Sequence, residues 1–234
     1  MPPADGGRAG PTVICLHGLG RTPADWDGVR AALERFGPVL APALPRDAAA
    51  AAALALRAVP PGAVLIGHSL GAVVALRLAA RTDLRVRAVV ASSSFFPPAR
   101  NGRTVRRTLA DYLGHRVAFV RAHRAAGGGL RPGSEAAVGL RPLLGIAARR
   151  TAFDSTMRAV QCPVLVLHAI DDHYVPVDFA AAAVAGRPSW TLVRLDGGGH
   201  YPHRDRAPQW LSAVEPWLER ALSGEPVPGG GAPG

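Results

Sequence analysis

Residues 64–76 read Val-Leu-Ile-Gly-His-Ser-Leu-Gly-Ala-Val-Val-Ala-Leu. An apolar run typical of a buried strand meets Gly-His-Ser-Leu-Gly and passes directly into small apolar residues that favour a helix. The pattern G-x-S-x-G between a strand and a helix predicts a tight turn that exposes the hydroxyl of Ser69. Gly67 and Gly71 are small because neighbouring backbone comes close to such a turn. The helix that follows directs its free N–H groups at Ser69, an arrangement that favours a developing negative charge there.

Length and composition limit the classes of protein to consider. The 234 residues suffice for one domain with a large core, or for one domain with an insertion. The net charge is +10, and every basic residue is arginine. Together with abundant Ala, Gly and Pro, this is typical of the coding bias of a GC-rich genome. Because the chain also lacks a nucleic-acid recognition motif, the charge does not indicate nucleic-acid binding.

A secretory signal or a membrane span in the sequence would indicate a cellular compartment. The first residues contain no basic region followed by an apolar stretch, so no secretory signal is predicted. No stretch is long and apolar enough to predict a membrane span. Cys15 and Cys162 lie within or just before apparent buried strands, so we expect small core residues rather than a disulfide. These features predict a cytoplasmic protein.

Strands and helices alternate on both sides of the opening stretch. Before it, the sequence predicts a strand at 12–16, a helix from Thr22 to about Phe36, a short strand and loop at 38–44, and a helix from Asp47 to Val59. Thr22 is the expected N-cap of the first helix, with Asp25 placed nearly as in a capping box, and Asp47 the cap of the second. After it, strands are predicted at 86–91, 163–168 and 190–195, with helices at 177–185 and 208–222.

This alternation predicts an α/β fold, a doubly wound and mostly parallel sheet of about six strands. It stops between residues 95 and 158, where only helices are predicted, mainly at 103–126 and 134–150. We therefore predict a core of residues 1–94 and 159–223, a helical insertion at 95–158, and a disordered Gly/Pro-rich tail at 224–234.

A serine hydroxyl needs a base to take its proton, and the base needs an acid to orient it. After the strand at 163–168 the chain offers Asp171 and Asp172, and after the strand at 190–195 it offers His200. Both loops follow the carboxyl ends of strands, where open α/β sheets bind ligands. The spacing of the residues therefore predicts a serine, acid and histidine site, with two candidates for the acid.

At this point the sequence resembles the α/β-hydrolase superfamily, over residues 12–222 apart from the insertion. Four motifs in the expected order carry the resemblance: His17-Gly18 with downstream Trp26, Gly67-His68-Ser69-Leu70-Gly71, Asp172-x-x-Val175-Pro176, and Gly198-Gly199-His200-Tyr201-Pro202. The resemblance implies that Ser69 is the nucleophile, Asp172 the acid and His200 the base. The family spacing Asp-x-x-Val-Pro selects Asp172, and Asp171 is then a solvated or loop-capping carboxylate.

Two further assignments come with the resemblance. The oxyanion hole would use the backbone N–H groups of Leu19 and Leu70. The insertion would be the helical cap that shapes the substrate pocket. Among the other histidines, His17 is expected to brace its loop. His68 is expected to pack behind the tight turn at residues 67–71, which we call the nucleophile elbow. His203 is an alternative base outside the motif.

The function implied is that of a serine hydrolase that cleaves a carboxylic ester through a covalent acyl-enzyme, without cofactor or metal. A thioesterase, an amidase, a C–C bond hydrolase and a non-catalytic binding protein on the same fold stay open as alternatives. The serine at the elbow argues against relatives that use an aspartate nucleophile. Residues 95–158 hold twelve arginines less three acidic residues, a charge of +9. This charge indicates either an anionic substrate, carrier or partner, or a solvated outer face.

Overall fold

The computed structural model of the protein describes residues 10–45, 48–96 and 150–229, together with Val117. Six strands form its sheet: β1 (Val13–Leu16), β2 (Val39–Leu40), β3 (Val64–His68), β4 (Ala88–Ser92), β5 (Val164–Ala169) and β6 (Trp190–Leu195). The α-helices within the described ranges are α1 (Asp27–Leu33), α2 (Ala48–Ala58), α3 (Leu70–Ala79), α4 (Arg150–Ala159), α5 (Val177–Val184), α6 (Pro202–Asp205) and α7 (Ala207–Ser223). Short 3₁₀ helices lie at Pro23–Trp26, Glu34–Phe36 and Thr82–Leu84.

All neighbouring strands are parallel, in the order β2-β1-β3-β4-β5-β6. The chain starts at β1, moves out to β2, and then crosses back to β3 before it continues to β6. In register, Leu16 pairs with Gly67 and Gly67 with Ala91, so the central strands end at one level. The loops that carry the candidate residues therefore meet at the carboxyl edge of the sheet, beside the point where the strand order reverses. The predicted α/β fold with a parallel sheet is confirmed.

Two apolar layers cover the sheet, because successive side chains of a strand point to opposite faces. Ile14 and Leu16 belong to the layer that includes residues of α2, α3, α4 and α5, whereas Val13 and Cys15 belong to the layer that includes residues of α1 and α7. Strands buried on both faces explain the nearly continuous apolar runs in the sequence.

The two cysteines are free and buried, as predicted. Cys15 lies in the layer with α1 and α7, and Cys162 in the layer on the other face of the sheet. Burial raises the pKa of each thiol to about 12, so neither is an activated thiolate.

The start of the first helical segment differs from the prediction. The chain forms a 3₁₀ turn at Pro23–Trp26 before α1, and the Thr22 side chain makes no capping hydrogen bond. The Asp25 carboxylate is instead held by the Arg21 guanidinium, with N–O distances of 2.6 and 2.8 Å. Two hydrogen bonds between the Arg21 guanidinium and the Asp25 carboxylate, which carry opposite charges, are stronger than one bond from an uncharged backbone N–H. The expected capping box therefore does not form.

Most of the predicted insertion lies outside the described residues, including the helices expected at 103–126 and 134–150, and so does Asp47. At the ends of the insertion, Phe95, Phe96 and Met157 are buried in the same apolar layer as α3. In the predicted tail, the Thr191 hydroxyl donates a hydrogen bond to the Pro228 carbonyl, so the chain contacts β6 there. Within the described ranges, no helix has both the length and the apolar character to cross a bilayer.

Candidate active site

Ser69 stands between β3 and α3 in a strained backbone conformation. Its φ is 51° and its ψ −114°, a region that non-glycine residues rarely occupy and that costs about 1–3 kcal/mol. The strain is held by backbone hydrogen bonds: the Ser69 N–H donates to the Ser92 carbonyl at 3.0 Å, and the Ser69 carbonyl accepts from Ala72 and Val73. The serine is therefore fixed at the start of a helix, as the G-x-S-x-G pattern predicts.

The two glycines of this turn are required by close backbone contacts. A Cβ at Gly67 would lie 2.4 Å from the Ala72 Cα, and a Cβ at Gly71 would lie 2.0 Å from the Leu16 carbonyl oxygen. Both contacts are with backbone, which cannot rotate away as a side chain can. Any larger residue would push α3 away from β1 and β3 and move Ser69.

Asp172 follows β5 and accepts hydrogen bonds at both carboxylate oxygens. Oδ1 accepts from the backbone N–H groups of Tyr174 at 2.8 Å and Val175 at 3.0 Å. Oδ2 lies 2.9 Å from the His200 Nδ1 and 3.3 Å from the His168 Nε2. Two backbone and two imidazole groups thus surround one buried carboxylate.

These contacts decide the charge of Asp172. Burial by itself raises the pKa of the carboxyl, but the His200 charge and the hydrogen bonds from His168 and His200 together outweigh it. The pKa of Asp172 is consequently lowered well below its usual range. The group is a carboxylate across the neutral pH range and can stabilise a positive charge on His200.

The neighbouring Asp171 occupies a different environment. Its side chain is exposed, and its Oδ1 accepts a hydrogen bond from the Gly199 N–H at 3.0 Å. Asp171 therefore binds the backbone of the loop that carries His200, whereas Asp172 contacts the imidazole ring of His200. The structure brings Asp172, and not Asp171, to the His200 Nδ1.

His200 follows β6 on a loop that only glycine forms readily. Gly197, Gly198 and Gly199 have φ values of 91°, 98° and 53°, in the region that side chains disfavour. The His200 ring is packed against Tyr174 and Tyr201, at centroid distances of 4.9 and 5.1 Å. Its side chain is 7% exposed.

The Asp172 contact fixes the tautomer of His200. A carboxylate only accepts, so the Nδ1 carries the hydrogen and the Nε2 is the free basic nitrogen. Among the described residues, no hydrogen bond joins the His200 ring to the Ser69 hydroxyl. Such contacts are often long in unliganded enzymes and shorten when substrate binds.

The loop after β1 approaches the elbow through Gly18. A Cβ at Gly18 would lie 3.4 Å from the Ser69 Cβ and 2.7 Å from the His68 Nδ1, so this position also needs a glycine. Leu19 follows directly, and Leu70 is the first residue of α3. Among the described residues, no backbone hydrogen bond outside the helices and strands is donated by either N–H group.

His17 and His68 have bracing contacts, as expected. The His17 Nε2 accepts a hydrogen bond from the Leu44 N–H at 2.8 Å. The His68 Nε2 donates to the His200 carbonyl at 2.7 Å, and the two rings are 4.9 Å apart. His68 thus links the turn at Ser69 to the loop of His200.

His203, the alternative base, lies buried among aromatic rings. Its ring packs between Trp26 at 4.5 Å and His68 at 4.7 Å, and neither ring nitrogen has a hydrogen-bond partner among the described residues. Burial is the main cause that lowers the pKa of His203, to about 3. The structure does not bring it to Asp172. His173 is exposed, and His115 and His123 lie outside the described residues.

His168 is a site residue that sequence reasoning missed. It lies at the end of β5, fully buried, and contacts both Asp172 and the Val175 carbonyl. The available signal was a polar residue at the end of the predicted strand 163–168, four positions before Asp172. In the described ranges, no group of His, Cys, Asp and Glu side chains is arranged to hold a metal ion.

Comparison with known sequences gives a family. A sequence model described as the alpha/beta hydrolase family matches residues 13–214. That range spans most of the chain, from β1 to α7, and includes every candidate site residue. No curated protein sequence matches the chain.

Comparison with solved structures agrees on the fold. A protein named lip1 from Acinetobacter baumannii AYE superposes with a TM-score of 0.68 at 18% identity, over 92% of this chain and 86% of that one. The thioesterase domain from the curacin biosynthetic pathway gives 0.63 at 19%, over 88% and 91%. A thermophilic esterase from Thermogutta terrifontis gives 0.61 at 20%, over 92% and 91%. At these identities the likeness is one of fold.

Proposed function

The chain belongs to the alpha/beta hydrolase family, and on this premise we propose that it cleaves a carboxylic ester through a covalent acyl-enzyme on Ser69. His200 is the general base and acid, and Asp172 orients it. The observation that carries the proposal is the 2.9 Å contact between the Asp172 Oδ2 and the His200 Nδ1, beside a strained serine at a helix N-terminus. A protein that only binds a ligand has no need of that combination.

In the first half of the proposed reaction, the Ser69 Oγ attacks the carbonyl carbon of the ester while the His200 Nε2 takes its proton. The carbonyl oxygen becomes an oxyanion, which accepts hydrogen bonds from the Leu19 and Leu70 N–H groups. The C–O bond to the alcohol then breaks, and the leaving alkoxide receives the proton from His200. An acyl-enzyme and a free alcohol result.

In the second half, water attacks the acyl carbon and gives its proton to the His200 Nε2. The tetrahedral intermediate collapses, the bond to the Ser69 Oγ breaks, and His200 returns the proton to that oxygen. The products are a carboxylic acid and the original enzyme. Asp172 stays ionised throughout and stabilises the imidazolium that forms twice in each cycle.

The same steps could cleave a thioester, an amide or a C–C bond, since only the leaving group differs. The thioesterase domain among the structural neighbours makes thioesters the first alternative to test. A panel of nitrophenyl esters and matched acyl thioesters of equal chain length separates these substrate classes. If kcat/KM is higher for thioesters at every chain length, the proposed substrate becomes a thioester, and the proposed roles of Ser69, His200 and Asp172 are unchanged.

Labelling with a fluorophosphonate probe tests the nucleophile itself. Ser69→Ala should abolish labelling and lower ester turnover by about 10³-fold or more, because only the oxyanion hole and binding would remain. Ser212→Ala is a matched control, since Ser212 is exposed on α7 and its hydroxyl donates only to the Gln209 carbonyl. Equal labelling of the wild type and the Ser69→Ala protein would contradict the assignment.

A further inference from the structure

The His168 side chain is fully buried at the carboxyl end of β5, where the surrounding strand residues are apolar. A buried polar ring costs free energy unless its nitrogens make hydrogen bonds. An aliphatic residue would fill the space without that cost, so the contacts of the ring have to explain its presence.

Two oxygens face the same nitrogen of His168. The Nε2 lies 2.8 Å from the Val175 carbonyl oxygen and 3.3 Å from the Asp172 Oδ2. A carbonyl oxygen can only accept, so the Nε2 must carry the hydrogen. The Nδ1 is buried and has no hydrogen-bond partner among the described residues. A ring with its hydrogen on Nε2 therefore donates to the Val175 carbonyl and brings the same nitrogen to 3.3 Å from the Asp172 Oδ2.

The His168 N–H holds a second backbone group of the turn from Asp172 to Val175. The first is the Val175 N–H, which donates to the Asp172 Oδ1. With His168 bound to the Val175 carbonyl, both backbone groups of Val175 are held, one by the carboxylate and one by the imidazole. Two imidazole nitrogens then lie beside the Asp172 Oδ2: the His200 Nδ1 is hydrogen-bonded to it at 2.9 Å, and the His168 Nε2 is in close contact at 3.3 Å.

We propose that His168 is a positioning residue, which orients the Asp172 carboxylate for His200 through its Nε2–H. This inference rests on the proposed function, because it assigns His168 a part in the same triad. Without the ring, the Val175 carbonyl loses a buried partner and the carboxylate loses one of its four polar contacts. The turn can then relax, and a small displacement of a catalytic group costs about 10- to 100-fold in rate.

Two substitutions of nearly equal size separate the hydrogen bond from the packing. His168→Leu removes the donor, and His168→Gln keeps an N–H group that can reach the position of the Nε2. We expect His168→Leu to lower kcat for a nitrophenyl ester by about 10- to 100-fold with KM nearly unchanged, because Asp172 acts on chemistry and not on substrate binding. His168→Gln should stay within several-fold of the wild type. Equal losses in kcat for the two variants would overturn the proposal.

A double-mutant cycle with Asp172→Asn tests whether His168 acts through the acid. Once Asp172 is an amide, adding His168→Leu should lower kcat by less than about twofold further. If the two losses multiply, His168 does not act through Asp172 and the proposal is wrong. Thermal unfolding of each variant identifies any loss that comes from partial unfolding. Should His168→Leu fail to fold, His168→Asn replaces it, since its amide is one methylene too short to reach both oxygens.

Fluorophosphonate labelling distinguishes the failure of this inference from the failure of the proposed function. Labelling that persists in Ser69→Ala would remove the function and the inference together. Labelling that requires Ser69 but proceeds at the wild-type rate in His168→Leu would overturn the inference alone. Slow labelling of His168→Leu, restored in His168→Gln, is the result we expect.

Discussion

The two sides of the His200 ring are held by different forces. On one side, both oxygens of Asp172 are bonded, by the backbone of Tyr174 and Val175 and by the rings of His168 and His200. On the other side, the His68 ring packs against the His200 ring and against His203, which in turn packs against Trp26. Of the four ring nitrogens of His68 and His203, only the His68 Nε2 has a hydrogen-bond partner among the described residues.

Charge explains the difference. Asp172 is ionised in a buried position, which is tolerable only where several donors surround it. Burial instead lowers the pKa of His68 well below its usual value and that of His203 to about 3, so both rings are neutral near pH 7. We call the side of Asp172 and His168 the acid side, and the side of His68 and His203 the ring side. We infer that the acid side controls the proton of His200, whereas the ring side controls the position of the His200 loop.

The largest effect should come from the acid side. Asp172→Asn keeps the shape of the side chain but favours the wrong tautomer of His200, and in related triads the loss reaches about 10⁴-fold in kcat. Asp171→Asn is the matched control, because it changes the adjacent carboxylate and leaves the His200 ring contact intact. It should lose far less, since an amide oxygen can still accept the Gly199 hydrogen bond. Ester turnover under saturating substrate measures both.

The reverse ranking of these two variants would move the acid to Asp171. Equal and small losses would mean that His200 needs no carboxylate, which contradicts the whole arrangement on the acid side. Circular dichroism of both proteins should match the wild type, because neither change alters side-chain volume.

The second effect is on stability, and it belongs to the ring side. A histidine in an unfolded chain has a pKa of about 6.5, whereas folding lowers that of His203 to about 3. The unfolded state therefore binds more protons between these values, and the free energy of unfolding falls as the pH drops below about 6.5. The loss amounts to about 1.4 kcal/mol per pH unit for each such histidine.

His203→Phe removes one of these protonation sites and keeps an aromatic ring against Trp26. Between pH 7.5 and 4.5, the variant should lose about 2–3 kcal/mol less unfolding free energy than the wild type, as measured by urea denaturation at each pH. His173→Phe, at an exposed position on the loop after β5, is the control for the exchange of a histidine for phenylalanine, and its slope is compared with that of the wild type. If His203→Phe keeps the wild-type slope, His203 does not contribute to the acid sensitivity. His203→Leu repeats the test without the larger ring.

The fold could be predicted from the sequence because local patterns carry it. Apolar runs of strand length, a G-x-S-x-G turn and loop residues after the right strands all lie within short windows of sequence. The meeting of Asp172 with His200 was also predictable, since parallel strands end at a common edge. The contact of Asp171 with a loop backbone agrees with the loop-capping role that the sequence suggested.

What could not be predicted depends on backbone groups and on competing partners. The contact of His168 with the Val175 carbonyl exists only once the turn has formed, and no side-chain pattern marks it. The failure of the expected capping box has the same origin. Asp25 suits a helix start, but Arg21, four residues earlier, offers its carboxylate two charged donors. Local propensity does not reveal which partner prevails.

The smallest effect should come from the one hydrogen bond on the ring side. The His68 Nε2 donates to the His200 carbonyl at 2.7 Å, and this bond joins the residue before Ser69, the proposed nucleophile, to the loop of His200, the proposed base. His68→Leu breaks this link, whereas His68→Gln keeps an N–H group near the same point. Since packing of Tyr174 and Tyr201 still holds the His200 ring, we expect a loss of only about tenfold in kcat for His68→Leu.

The comparison of leucine with glutamine decides which property of His68 matters. If the hydrogen bond positions His200, His68→Gln should recover most of kcat, and the KM of both variants should stay near that of the wild type. If the ring packing against His203 matters instead, both variants should lose kcat equally, because both lack an aromatic ring at 4.7 Å from it. Steady-state kinetics with one nitrophenyl ester answers the question. The His68 hydrogen bond restrains only the backbone of the His200 loop, so its removal should lower kcat by less than the loss of the Asp172 carboxylate does. A loss of kcat in His68→Leu as large as that in Asp172→Asn would contradict the division between the two sides.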